Sequence, residues 1–277
     1  PMVPIQQCKE DVISVIDNLL ANIQAGVYNT HGNCLGSALQ LAQQAMIENG
    51  GVLLLSAAGH PTIGPHAIKA RSSDDEAQLT SFPQESSKFY RDIGFMLNHS
   101  SISVHLFCIK PPTQKYCELS IISVPCGLTA GACHYYTSFD PVQLHNDIFS
   151  TLSSQYLWDS AMKLRCSSGV KMNFVYSNCS IRHDTSYYPV LSAHNSIMYD
   201  LKVESDLKAK NVMFQAAVLW TNNRKQRIIR VFNFALPATD QPALIKSSLD
   251  EAALATYFLK RASIRVLQKG PKDAFDF

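Results

Sequence analysis

Arg224-Lys225-Gln226-Arg227-Ile228-Ile229-Arg230 holds four cations in seven residues and no acid. Guanidinium groups on a strand sit on a rigid element and can hold a carboxylate through two parallel hydrogen bonds. In an extended strand Arg230 shares a face with Ile228 and lies opposite Arg227 and Ile229, so the two arginines form one clamp only across a bulge or bend. The competing reading is a solvated hairpin end that keeps a sheet edge soluble. Gly127-Leu128-Thr129-Ala130-Gly131 has the glycine spacing of a nucleophile elbow with threonine in the serine position, but no paired His and Asp can be assigned to it, and a structural turn is the simpler account. His31, His60 and His66 fall in loop sequence, and none of the nine histidines or 22 carboxylates forms H-E-x-x-H, C-x-x-C or an EF-hand loop.

The chain that positions these residues has 277 residues, 46% of them hydrophobic, enough for one large or two ordinary domains. A formal charge of +2 is too small to imply wholesale binding to nucleic acid or to an anionic membrane, so any electrostatic function needs a local cluster. Apolar runs such as Gly51 to Ala58 are strand-length, far short of the roughly 20 residues that span a bilayer. The start, Pro1-Met2-Val3-Pro4, has no signal-peptide character and reads as that of a fragment. Eight scattered cysteines without a C-x-x-C pair predict reduced, mostly buried thiols and a cytosolic protein, in which Asn98-His99-Ser100 and Asn178-Cys179-Ser180 carry no glycan.

Val12, Val15, Ile16, Leu19, Leu20 and Ile23 recur at helical spacing, and Leu35, Ala38, Leu39, Ala42 and Met46 predict a second helix that Asn49-Gly50-Gly51 stops. Strands are expected at Val52 to Ala57, Ile102 to Ile109, Leu119 to Val124 and Ala132 to Tyr136. Ser72 to Ser81 reads as surface loop, and helices are expected at Glu85 to Asn98 and at about Pro141 to Tyr156, the latter with His145, Ile148, Phe149 and Leu152 on one face. This alternation predicts a three-layer α/β domain with a mainly parallel sheet, entered mid-pattern. From Ala161 the period changes to two: Ala161 to Cys166 and Val170 to Tyr176 look like a hairpin around Ser167-Ser168-Gly169. Ile197 to Val203, Val212 to Trp220 and Arg227 to Leu236 complete an expected antiparallel β-sandwich, and Ser248-Leu249-Asp250-Glu251 caps a last helix.

Several runs resemble the cargo-binding subunit of the COPII vesicle coat: Ala161 to Val170, Phe214 to Trp220 and Arg227 to Leu236, with His31, Leu35 to Leu39, Glu48 to Gly51, and Leu128 to Gly131 followed by Tyr135 to Phe139 upstream. The resemblance implies an α+β multidomain chain: a partial von Willebrand A-like α/β trunk (1–153), an antiparallel β-sandwich (154–240) and the start of a helical domain (241–277). It implies a cargo adaptor and no enzyme, pairing as a heterodimer with the GTPase-activating COPII subunit and the small coat GTPase complex. The cytosolic tails of membrane cargo and fusion proteins would be its ligands; it would meet the membrane surface only indirectly and bind no nucleic acid. Its place would be the cytoplasm, recruited to endoplasmic reticulum exit sites and vesicles, and it would hold no cofactor, the family's zinc finger lying outside this chain. Family members grip acidic signals with arginines in a strand pattern R-R-I-R-V; here Arg230 matches one of them, Ile228 replaces the other, and Arg227 is a neighbour. The alternatives are the sister GTPase-activating subunit, a von Willebrand A-type metal-dependent adhesion module, and a hydrolase built on Thr129.

Overall fold

The computed structural model describes residues 5–27, 32–69 and 84–269, so the expected loop at Ser72 to Ser81 and the side chain of His31 lie outside the described residues. Helix α1 (Ile5–Gln24) carries the expected apolar row, but no residue of it is buried, and Val15, Ile16, Leu19 and Leu20 are all exposed. Helix α2 (Leu35–Met46) buries Leu35, Leu39 and Gln43 on one side. It ends where Gly50 N–H returns to the Met46 carbonyl at 2.8 Å, with Gly50 at φ 65°, a conformation that favours glycine.

Strand β1 (Gly51–Ala58), helix α3 (Gln84–His99) and strand β2 (Ile102–Ile109) follow, and with β3 (Cys133–Tyr136) they form a parallel sheet of order β1-β2-β3. Strand β2 is central and buried along nearly its whole length, which is why its sequence is a continuous apolar run without alternation. Ile102, Val104 and Leu106 pack with Leu39, Tyr90, Leu97 and Ile121 in the trunk core.

The strand expected at Leu119 to Val124 is instead helical, as α4 (Leu119–Ile122) and α5 (Val124–Leu128). Both sides of β2 are occupied by β1 and β3, and the adjacent pair Ile121 and Ile122 is buried together, which a half-buried strand with alternating faces does not allow. Short apolar runs do not distinguish the two structures by period.

The turn after α5 packs against the centre of the sheet. Thr129 is 0% exposed; its hydroxyl donates to the Pro125 carbonyl at 2.8 Å and accepts from Val104 N–H at 3.0 Å. It is thus committed to the backbone, with a helix before it instead of a strand, and has neither the exposure nor the partner of a nucleophile. A Cβ at Gly131 would run into the Val104 carbonyl, so only glycine lets this turn approach β2. Asn98 donates to the carbonyls of Leu128 (2.8 Å) and Tyr187 (3.4 Å), and Asn195 donates to that of Ala130 (3.0 Å), so residues on both sides of the domain seam hold the same turn.

Helix α6 (Pro141–Ser153) starts on Asp140, whose carboxylate accepts from Val142 and Gln143 N–H. Only part of its apolar face turns inward. Ile148 is half-buried and Thr151 buried, and Asp147 accepts from Tyr136 Oη at 2.7 Å, whereas Phe149 and Leu152 are each 64% exposed.

The second domain is antiparallel. One sheet, of order β10-β9-β4-β7-β6, contains β4 (Leu157–Cys166), β6 (Ser180–Arg182), β7 (Thr185–Leu191), β9 (Asn211–Thr221) and β10 (Arg227–Pro237). The other pairs β5 (Val170–Tyr176) with β8 (Met198–Val203). The expected hairpin between β4 and β5 is therefore an arch between sheets: both edges of β4 are taken, by β7 and β9, and Gly169 (φ 92°) turns the chain across to the other sheet. Strands β6 and β7 had no sequence expectation. Helix α7 (Pro242–Ser247) precedes α8 (Glu251–Lys269), which Asp250 caps through Ala253 N–H and which docks on β8 through Tyr257 Oη to Asp200 at 3.2 Å.

Thr129→Val keeps the shape but leaves the buried Val104 N–H without an acceptor. The expected loss is about 1–3 kcal/mol, read as a lower midpoint in chemical denaturation.

Candidate binding site

The β9–β10 ladder runs unbroken from Arg227↔Thr221 to Pro237↔Asn211. Its turn is closed by Asn222, whose side-chain oxygen accepts from the N–H groups of Arg224 (2.9 Å) and Gln226 (3.0 Å). With no bulge in β10, Arg227 and Arg230 stay on opposite faces and cannot converge on one ligand atom.

Arg227 is engaged within the sheet. Its Nη1 donates to the Asp159 carboxylate at 2.7 Å, to the Asp159 carbonyl at 2.6 Å and to Thr221 Oγ1 at 2.9 Å. Asp159 meets it because β4 shifts register between Trp158 and Ala161, with Asp159 itself at φ 46°. The bulge lies in β4, two strands away from the position where the sequence reading sought one.

Arg230 lies on the other face, in a row with Ile228, Phe232, Phe234 and Leu236. Its guanidinium is 6.0 Å from the Phe232 ring centre, and among the described residues no carboxylate pairs with it. Along this face burial falls steeply across one ladder step: Phe214 on β9 is 6% exposed, while Phe234, stacked on it at 5.1 Å, is 45% exposed. Two strands opposite five do not roof the last strand. The result is a rigid apolar row with one cation in it, an arrangement that accepts a ligand bearing both apolar groups and a carboxylate.

The strongly shifted titratable groups lie elsewhere. Burial pushes the thiols of Cys108 and Cys133 up to about 12 and about 11, and no disulfide joins any of the eight cysteines. His60 bonds the Tyr116 carbonyl at 3.1 Å and His66 stacks on Phe89 at 3.6 Å; among the described residues no group of three or more His, Cys, Asp or Glu is placed to hold a metal ion. Nor is any described helix long and apolar enough to cross a membrane.

Two family models match the chain: the Sec23/Sec24 trunk domain over residues 2–155 and the Sec23/Sec24 beta-sandwich domain over 157–239. The chain belongs to the Sec23/Sec24 family. The protein transport protein SEC24 of Scheffersomyces stipitis is 29% identical over 260 residues, covering 89% of this chain and 28% of that protein. The sec24 protein of Aspergillus terreus is 26% identical over 285 residues, covering 99% and 31%. The crystal structure of the human COPII-coat protein Sec24c superposes with a TM-score of 0.86 at 22% identity, over 99% of this chain and 38% of that one, and thus shares its fold. This chain spans less than a third of the length of these curated relatives. A mixed α/β trunk followed by an antiparallel sandwich is the arrangement that the Sec23/Sec24 match and the Sec24c fold have in common with it.

The sequence reading placed Arg230 on a strand face with Ile228, and there it stands. It did not find Asp159, because only the fold brings residue 159 beside residue 227.

His105 on β2 is half-buried and its Nδ1 makes no hydrogen bond; burial, then the neighbouring His134 and His194, pushes its pKa down from 6.5 to about 4. Between those values the unfolded chain binds a proton that the folded chain refuses, so stability falls as pH drops from 6.5 towards 4. The expected loss is on the order of 2 kcal/mol, below the full value because the ring is only partly enclosed. Denaturation midpoints across this pH range, flatter in His105→Gln, check it.

Proposed function

We propose that this chain is the trunk and sandwich part of a COPII cargo adaptor, which collects membrane proteins for transport from the endoplasmic reticulum by binding export signals on their cytosolic tails. Membership of the Sec23/Sec24 family carries the reading, and the curated relatives described above bear the Sec24 name, which favours the cargo-binding subunit over its GTPase-activating sister. The work assigned to the chain is recognition, without catalysis and without a cofactor of its own. Its setting is the cytoplasmic face of the endoplasmic reticulum, next to the small coat GTPase.

Arg230 is the residue we assign to acidic signals. Its guanidinium is not neutralised by a described carboxylate, and the row of Phe232, Phe234 and Leu236 beside it offers apolar contact to the rest of a peptide. Arg227 contributes indirectly, since its own guanidinium is held by Asp159. Titrating a labelled acidic signal peptide against the intact protein tests the assignment. Arg230→Ala is expected to weaken binding about tenfold, and raising the salt is expected to weaken binding to the unsubstituted protein. Unchanged affinity in the variant would remove Arg230 from the site.

Pairing with the GTPase-activating subunit is assigned to the trunk edge. Strand β3 ends the parallel sheet among the described residues, and the outward side of α6 presents Phe149 and Leu152, with Phe139 just before the helix, each 64% exposed. Exposed apolar groups such as the neighbouring Phe149 and Leu152 mark interaction surfaces. Phe149→Asp is expected to abolish co-purification with the partner subunit while leaving the denaturation midpoint unchanged; full retention of the complex would place the interface elsewhere.

A further inference from the structure

Strand β10 leaves one side of its backbone unused. At the two ends of its ladder with β9, Asn222 N–H donates to the Gln226 carbonyl (3.0 Å) and Ala238 N–H to the Lys210 carbonyl (2.8 Å), so the even-numbered residues of β10 are the ones bonded to β9. The ladder has no bulge, and in an antiparallel pair the residues between bonded ones turn their N–H and C=O the other way. Arg227, Ile229, Val231, Asn233 and Ala235 therefore direct donor and acceptor away from the sheet, and among the described residues no strand lies on that side.

This outward row is complementary to its own image. A two-fold axis normal to the sheet sets two copies of β10 side by side and antiparallel, and outward residues must then face outward residues. One such register, with Arg227 facing Pro237, pairs the strand over its full eleven residues. It joins Ile229 to Ala235 and Val231 to Asn233 of the second copy by backbone hydrogen bonds. On the other face, where facing side chains come closer, it sets Phe232 on Phe232, Arg230 on Phe234 and Ile228 on Leu236.

The side chains suit that register. Phe232 and Leu236 are about half exposed in the single chain, and an aromatic pair at the axis with a cation against a ring on either side is favourable across strands. The four cations of the strand and its turn all precede residue 231, so the register keeps those of one copy away from those of the other. Counted past the strand ends, it brings Arg224 level with Asp240 of the second copy. The opposite edge of the sheet is β6, only three residues long, so a contact through β10 closes on two copies and does not propagate.

We propose that two copies of this chain associate through their β10 edges, antiparallel about a two-fold axis at Phe232, and so join two five-stranded sheets into one. The association goes beyond the cargo-adaptor reading and does not rest on it. Its surface is separate from the trunk edge to which the partner subunit is assigned.

Sedimentation equilibrium of the intact chain over a range of concentrations tests it, and a reversible dimer is expected. Phe232→Lys and Phe232→Glu each set like charges against one another at the axis, and each is expected to raise the dimer dissociation constant about tenfold. An equal mixture of the two variants is expected to recover the dimer, because Lys then faces Glu, a rescue that two misfolded variants would not show. Amide exchange gives a second readout that needs no substitution. The N–H groups of Ile229, Val231, Asn233 and Ala235 are expected to gain protection as concentration rises, while those of Ile228 and Arg230, already bonded to β9, are not. A chain that stays monomeric, variants that dimerise as well as the unsubstituted protein, or a mixture of folded variants that stays monomeric would overturn the proposal.

Discussion

The buried turn from Leu128 to Gly131 is the constraint on which the two domains depend. Backbone removed from water must find partners inside the protein, and here they come from opposite directions: Thr129 serves Val104 in the centre of the parallel sheet, while Asn195 reaches in from the sandwich and Asn98 bridges α3 to the turn and to β7. Gly131 permits the contact with β2 because it has no side chain to separate the two backbones. The order of the parts follows. The sheet fixes the turn, the turn fixes the sandwich, and the sandwich sets the facing of its outermost hairpin, on which both arginines stand.

Much of this was legible in sequence, for reasons that also explain what was not. The continuous apolar run of β2 and the alternating run of β4 each follow a local period, and both are strands where expected. Leu119 to Ile122 failed because four residues do not fix a period. The β4–β5 arch failed because a Ser-Ser-Gly turn looks the same whether it returns along one sheet or crosses to another; that depends on β7 and β9, which occupy both edges of β4. On α6 the apolar pattern was read correctly as helical, but only part of the apolar face is covered, since Asp147 turns inward to meet Tyr136, and Phe149 turns out.

The two arginines show the same division on a finer scale. Their placement on opposite faces follows from spacing alone, and the unbroken β10 ladder preserves it. Their different surroundings do not follow from sequence, because both are arginine on one strand. What separates them is a left-handed Asp159 in a neighbouring bulge, which holds Arg227 and has no counterpart near Arg230.

Strand β10 is also the last of its sheet among the described residues, eleven residues long and exposed over most of both faces. An edge of that length with Ile229, Val231, Phe232 and Phe234 uncovered is a template onto which another extended chain can add. The basic cluster at its start opposes parallel pairing of identical copies, because Arg224, Lys225 and Arg230 of each would then meet their counterparts, Arg227 being held by Asp159. The charges that give this edge its polarity thus also limit the ways in which it can pair with its own kind.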